Sequence, residues 1–364
     1  MTRKPEGALR RGWTTGACAT AATKAAYTAL LTGRFPDPVS ITLPKGEQPA
    51  FALARERLSE GAASAAIVKD AGDDPDVTHL ATVQATVRRG TAGSGVVFKA
   101  GPGVGTVTKP GLPLPVGEPA INPVPRQMMQ GVVAEVAAAH GDAGDVEIEI
   151  SVDGGEALAR KTWNPRLGIL GGLSILGTTG VVVPFSCAAW IHSIHRGIDV
   201  ARATGIRHAA ACTGSTSEAA VQKRYGLPEG ALLDMGDFAG GLLKYLRRHP
   251  LPRLTLAGGF GKLAKLAAGA LDLHSGRSQV DFDLLAGLLA ELGAGEALIA
   301  DARGANTAKQ VLELAEAAGL PLADAVAARA RAVALGMLNG ETEIEVLVFD
   351  RAGHLAGKAA GWPA

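Results

Sequence analysis

Arg253-Leu254-Thr255-Leu256-Ala257-Gly258-Gly259-Phe260-Gly261-Lys262 decides how the second half of the chain is read. A strand-like run, Arg253–Ala257, meets a turn with three glycines, and a helical run extends from Lys262 to Ala270. The same rhythm recurs on both sides. Strand-like runs lie at Arg207–Cys212, Ala297–Asp301 and Glu345–Asp350, and helical runs near Ser217–Arg224, Gly236–Arg248, Phe282–Leu292, Ala308–Ala318 and Ala323–Leu335. Alternation of this kind predicts an α/β domain with a largely parallel sheet and helices on its faces.

The first half differs. Alanines fill a helical run from Thr15 to Thr32, with Thr14 or Thr15 placed to cap it and Gly33 to end it. Strand-like segments follow at Val39–Leu43, Ala63–Lys69, Thr78–Arg88 and Gly95–Lys99. Within them, Thr82-Val83-Gln84-Ala85-Thr86-Val87 alternates as a half-buried strand does. Gly101 to Pro125 is rich in glycine and proline yet carries few charges, which predicts an ordered functional loop. A helix from Pro125 to about His140 and a strand at Val146–Val152 complete an α+β domain with mostly antiparallel pairing. The expected division is therefore 1–155 for an N-terminal α+β domain and 156–364 for a C-terminal α/β domain.

Composition narrows the function. The 364 residues suit about two domains. With 47% hydrophobic and 20% charged residues the chain is expected to fold, and a formal charge of +1 argues against a general nucleic-acid binder. Cys18, Cys187 and Cys212 lie far apart and none sits at CxxC spacing. A disulfide framework or structural zinc is not expected, and a reducing, cytoplasmic compartment fits. Met1 to Arg11 is basic and polar, so no secretory signal is expected. Leu167 to Ile191 runs 25 residues without a charge, but five glycines and Pro184 interrupt it. It reads as a buried glycine-rich loop and strand, not a membrane span.

Parallel sheets bind ligands at the carboxyl ends of their strands, where helix N-termini point. Two such turns are legible. At Ala211-Cys212-Thr213-Gly214-Ser215-Thr216-Ser217-Glu218, Ser215 and Glu218 have the spacing of a capping box. Its N–H groups and hydroxyls could hold a carboxylate or ribose, the alternative being a cap with no ligand. At the second turn, Gly258, Gly259 and Gly261 would let a nucleoside approach the backbone, or else serve tight strand–helix packing. No acidic residue ends a strand about 20 residues after that second turn, as a full dinucleotide fingerprint would require. Gly171 to Gly180 lacks the Walker lysine and reads as backbone able to approach a flat ligand, or as a buried crossover.

Asp70, Asp73, Asp74 and Asp76 crowd one loop with His79, a pattern that offers a carboxylate for proton transfer or simply a polar turn. Asp272 and His274 could face the cleft of the second glycine turn. His192 and His195 are too few ligands for a metal, and no metal site is expected. Lys109, Arg126 and Arg166 border the special loops, and cations there would suit carboxylates.

Longer blocks carry a resemblance. Arg11-Gly12-Trp13-Thr14-Thr15-Gly16-Ala17-Cys18 is similar to the opening motif of the CbiD family. So are Val68 to His79, Gly103 to Arg126, Asn164-Pro165-Arg166-Leu167-Gly168-Ile169, the Gly171–Gly180 segment, Met235-Gly236-Asp237-Phe238 and Gly261 to Gly269. The likeness runs in order from about Leu9 to about Asp283. Ser186-Cys187-Ala188-Ala189-Trp190 departs from the acidic form of this stretch in the family.

The resemblance implies a methyltransferase of cobalamin biosynthesis that acts on carbon 1 of cobalt-precorrin-5B, with S-adenosylmethionine as donor. It implies a corrinoid substrate that carries its own cobalt, with neighbouring pathway enzymes as candidate partners. On that reading the donor sits at Gly258, Gly259 and Gly261 and at Thr213, Gly214 and Ser215 in the C-terminal domain. The macrocycle and its carboxylates engage Thr15, Gly16, Lys109, Arg126, Arg166, Gly177, Thr178 and Thr179. Asp70, Asp73, His79 and His274 are the candidates for proton chemistry. The rival readings are a nicotinamide-dependent oxidoreductase and a non-catalytic corrinoid carrier.

Overall fold

The computed structural model describes residues 7–362, so Met1 to Glu6, part of the stretch read for a leader, lies outside the described residues. Two compact units divide at Cys187/Ala188.

Helix α1 (Thr15–Thr32) starts where the Thr14 hydroxyl accepts the Ala17 N–H and ends on Gly33 in the left-handed region at φ 76°. It is buried nearly all round, as an alanine-rich helix inside a core must be. It packs against a five-stranded sheet and against α2 (Pro123–His140), which Asn122 precedes and Gly141 ends. The strands are β1 (Arg55–Ser59), β2 (Ala62–Val68), β3 (Thr82–Arg89), β4 (Val96–Ala100) and β5 (Val146–Val152), ordered β1-β2-β3-β5-β4. Every pair is antiparallel except β5 with β4. Val146, Ile148, Ile150 and Val152 point into the core while Glu147, Glu149 and Ser151 alternate outward.

Several expectations change in this unit. The Val39–Leu43 segment contributes only a two-residue strand, Val39–Ser40. Thr78 to Ala81 is a turn instead of strand, because Asp76 accepts both the N–H and hydroxyl of Thr78 at 2.7 Å. The boundary falls at 187 and not 155. Residues beyond 155 pair back onto this unit: Gly172–Leu173 with Gly103–Val104, Ile169–Leu170 with Thr106–Val107, and Val181–Val182 with Gly12–Trp13. The uncharged stretch from Leu167 is thus mostly loop and short strand. Among the described residues no helix is long and apolar enough to cross a membrane.

The second unit begins one residue into α3 (Cys187–Ala203) and holds β6 (His208–Cys212), α4 (Ser215–Tyr225), β7 (Leu232–Asp234), α5 (Ala239–Leu246), β8 (Arg253–Gly259) and α6 (Phe260–Ala267). There follow α7 (Phe282–Glu291), α8 (Glu296–Arg303), α9 (Ala308–Ala317), α10 (Leu322–Gly336), β9 (Glu343–Phe349) and β10 (Leu355–Ala359). The sheet order is β7-β6-β8-β9-β10, parallel except for β10. Ala297–Asp301, expected as a strand, is the middle of α8. Its five residues lack β-branched character apart from Ile299. Gly295 before the helix and Glu296 in its first turn favour a helical start.

Candidate binding site at the carboxyl ends of the parallel strands

From β6 the chain first adds β7 on one side, then crosses to add β8 on the other. The order reverses between β6 and β8, and open parallel sheets form their ligand crevice at such a point. The two glycine turns read from sequence are the turns that leave these strands. They lie side by side: Thr213 N–H donates to the Ala257 carbonyl at 2.9 Å. A Cβ on Gly258 would come within 2.5 Å of Thr213 Oγ1, so glycine is needed for the turns to touch.

Gly214 and Gly259 precede α4 and α6, and neither helix has a side-chain cap. Their first N–H groups therefore keep the donor character of open helix ends. A Cβ at Gly214 or Gly259 would meet nothing within 4 Å, which leaves open space over both turns. Ser215, expected as the cap, is already the first helical residue, and Ser217 Oγ donates to the Gly214 carbonyl at 2.8 Å. Gly261 sits inside α6 against Ala308 and serves helix packing.

Lys262, from the first turn of α6, reaches across the crevice. Its Nζ donates to the Thr213 carbonyl at 2.8 Å and lies 3.0 Å from Asp237 Oδ1. That oxygen is sealed from solvent and takes no directed hydrogen bond. Asp237 was visible in the sequence only as part of a quoted block. The short strand β7 that delivers it was not foreseen, because three residues show no periodicity. Leu273 N–H donates to the Asp237 carbonyl at 2.8 Å, which brings the Asp272–His274 segment to this rim. Asp272 is paired with Arg277, and exposed His274 accepts the Gly276 N–H through Nδ1 at 3.1 Å.

In the N-terminal unit three segments fasten into one face. Trp13 N–H donates to Asp70 O at 2.7 Å, Thr14 N–H to Gly180 O at 2.9 Å, Gly16 N–H to Leu176 O at 3.0 Å, and Phe185 N–H to Asp74 Oδ1 at 2.7 Å. Gly12 lies so close to Ala71 that a Cβ would fall on its carbonyl carbon, and one on Gly177 would strike the Thr14 side chain. Thr15 and Gly16 are buried and hold the Leu176 backbone; exposed Thr178 and half-buried Thr179 follow on the same loop. Leu80 and Phe185 adopt φ values of 63° and 56°, unusual for such residues. Val77, Leu80, Leu176 and Val183 remain exposed there.

The acidic loop divides by partner. Asp70 is gripped by the Arg10 guanidinium and by Gly72 N–H, which hold it down at about 2 and leave it a poor base near neutral pH. Asp73 accepts the Arg10 N–H at 2.6 Å. For Asp76, burial pushes upward, but the buried Lys69 ammonium at 2.7 Å and the Thr78 donors outweigh it, and the carboxyl stays below the usual range. Burial raises Asp74 in spite of the Phe185 N–H, so Asp74 is the carboxyl of this loop shifted toward proton exchange. His79 Nδ1 accepts Ala71 N–H at 3.1 Å and is exposed.

The cations also sort themselves. Arg126, expected on the substrate rim, instead ties its own loop: it donates to Ile121 O at 2.8 Å, Glu118 Oε2 at 2.9 Å and Pro119 O at 3.1 Å. Lys109 Nζ reaches the Arg166 carbonyl at 3.5 Å, so these two lie together, with Arg166 over the Trp163 ring. His195 stacks on Tyr245 at 3.9 Å. Among the described residues no three His, Cys, Asp or Glu side chains gather as metal ligands do.

These observations define an α/β protein of two units, one of which has two adjacent glycine turns at the switch point of a parallel sheet. Residues 2–184 match the CbiD family and residues 272–360 the CbiD C-terminal domain, and the chain belongs to the CbiD family. A cobalt-precorrin-5B C(1)-methyltransferase of Paramagnetospirillum magneticum is 66% identical over 355 residues, 97% of this chain and 99% of that protein. Proteins of the same name from Brucella anthropi and Rhodospirillum rubrum are each 62% identical, over 96% and 98% of this chain and 95% and 99% of their own lengths. The crystal structure of a cobalamin biosynthesis protein (CbiD) from Archaeoglobus fulgidus shares 27% identity, covers 75% of this chain and 84% of that one, and gives a TM-score of 0.41.

Proposed function

We propose that this protein methylates carbon 1 of cobalt-precorrin-5B, giving cobalt-precorrin-6A in cobalamin biosynthesis, with S-adenosylmethionine as donor. The observation that carries the reading is 66% identity along 97% of the chain to a relative named for that reaction. As a biosynthetic enzyme it is placed in the cytoplasm, beside the other enzymes of its pathway.

The β6/β8 crevice suits the donor. Its bare glycines leave room for a flat nucleoside, and its helix ends supply N–H donors. S-adenosylmethionine supplies a methyl group already activated on a sulfonium. Thr213, Gly214, Ser215, Gly258 and Gly259 hold the nucleoside against the sheet, and the Lys262–Asp237 pair braces the turn at Thr213. What remains for the protein is alignment, since in-line transfer demands that sulfur, methyl and carbon be held together.

The N-terminal face suits the corrinoid. Leu80, Leu176, Val77 and Val183 offer apolar surface to the macrocycle, beside backbone at Gly177 and Thr178. Lys109 and Arg166 offer charge to its carboxylates. For proton handling His79 and Asp74 are better placed than Asp70 and Asp73, which are engaged with Arg10. Cobalt belongs to the substrate. The test is mass spectrometry of cobalt-precorrin-5B incubated with the protein and donor labelled in its methyl group. A gain of one labelled methyl is expected, and an unaltered corrinoid would refute the reading.

A further inference from the structure

Strand β6, its glycine turn, α4 and β7 form one parallel strand–helix–strand unit. Register places Cys212, the last residue of β6, directly opposite Asp234, the last residue of β7. Neighbouring strands stand about 4.8 Å apart, so the Asp234 backbone is one strand spacing from the start of the glycine turn. In dinucleotide-binding units the acidic residue that takes the ribose lies about 20 residues beyond the glycine turn, at the end of the second strand. Asp234 follows Gly214 by about 20 residues and ends that strand. The sequence had offered no such acid after the Gly258 turn. The topology explains why: β6, not β8, is the first strand of the unit that the switch point borders.

Local structure fixes the end of β7. Trp190 Nε1 donates to the Asp234 carbonyl at 3.0 Å. Gly236 turns at φ 56° with the Trp190 ring 3.4 Å from where a Cβ would stand, and its N–H donates to Cys212 O at 3.1 Å. The chain therefore doubles back across the end of β6 between Asp234 and Asp237, and Asp237 meets the Lys262 that also holds the Thr213 carbonyl. The Asp234 backbone and the Asp237 carboxylate thus both border the same turn.

Resting on the donor reading above, we infer that Asp234 is the ribose-binding carboxylate, accepting hydrogen bonds from the vicinal hydroxyls of the donor nucleoside. A carboxylate accepts from two adjacent hydroxyls more strongly than a neutral group does. It also repels a ribose that carries a phosphate, which makes the site selective for unphosphorylated nucleosides.

The test is calorimetric titration of the full chain with S-adenosylhomocysteine and with its 2′-deoxy counterpart. Wild-type protein is expected to prefer the ribose form by about tenfold or more, as loss of a hydrogen bond to a charged group would give. Asp234→Asn should weaken S-adenosylhomocysteine by a similar factor and leave the 2′-deoxy ligand nearly unaffected, while Asp234→Glu keeps part of the preference. Equal wild-type affinities for the two ligands would overturn the assignment without any variant having to fold. A loss in Asp234→Asn that is the same for both ligands would also overturn it, as a merely structural role would predict. Wild-type protein that binds neither ligand would overturn the donor reading and this assignment with it.

Discussion

The Lys262 ammonium lies 3.0 Å from Asp237 Oδ1, an oxygen closed off from solvent and without a directed hydrogen bond. The pair joins two loops that leave different strands, since Lys262 also holds the Thr213 carbonyl. Lys262→Met removes the counter-charge and leaves a carboxylate that is closed off from solvent without its partner. Stability should fall by about 1–3 kcal/mol, read as a lower urea midpoint. Adding Asp237→Asn should restore much of the loss, because the buried charge is gone. A double variant weaker than Lys262→Met would argue against the coupling.

Two neighbouring glycines should respond differently to one methyl group. At Gly258 a Cβ comes within 2.5 Å of Thr213 Oγ1, so Gly258→Ala should cost about 1–3 kcal/mol of stability by overpacking. At Gly259 the backbone is extended, φ −72° and ψ 152°, and a Cβ meets nothing within 4 Å. Gly259→Ala should therefore unfold within about 0.5 kcal/mol of wild type. It should nevertheless bind S-adenosylhomocysteine about tenfold more weakly, equivalent to roughly 1.4 kcal/mol, because the methyl occupies the space a nucleoside needs. Unchanged affinity in Gly259→Ala would remove the donor from this turn.

Much of this was legible before any coordinates. Helix α1 announces itself through Thr14, a run of alanines and Gly33, all local signals. Strand β5 does so through strict alternation, and the glycine turns through their place after strands. What was not legible depends on partners or on very short elements. Ala297–Asp301 is four apolar residues and an aspartate, a length at which strand and helix look alike. Strand β7 has three residues, so neither it nor the acids around it could be placed. Asp70 reads as a base by residue type, and its pairing with Arg10 is something residue type alone does not disclose.

Arg126 illustrates the same point and yields a prediction. Its three hydrogen bonds to Glu118, Pro119 and Ile121 pin the loop in front of α2. Arg126→Ala should cost about 2–3 kcal/mol, since two carbonyls and a carboxylate lose a charged donor. Lys109→Ala should instead raise the apparent substrate constant while leaving the thermal midpoint close to wild type. If Arg126→Ala unfolds like wild type and only substrate affinity falls, the rim assignment from sequence is the better one.

Acid should loosen the N-terminal unit through Asp142. This carboxylate follows the Gly141 that ends α2 and accepts from the buried Tyr27 hydroxyl, from Arg89 and from Gly144 N–H. Those donors, Tyr27 first, hold it down at about 2. An unfolded carboxyl of this kind titrates near 3.9. Because the folded value is the lower one, the stabilisation is complete above about pH 5 and drains away as pH falls from about 5 toward 2, by roughly 2 kcal/mol in all. Asp142→Asn cannot titrate, so it should be less stable than wild type at pH 7 yet lose less on acidification. Urea midpoints at pH 7, 4 and 3 measure this directly, and parallel losses in the two proteins would count against Asp142 as the source. The Arg10–Asp70 pair titrates in the same window, but both side chains are about half exposed, so its share should be smaller and should shrink further in salt. Repeating the series in high salt separates the two: the Asp142 difference should persist because its Tyr27 partner is fully buried and uncharged.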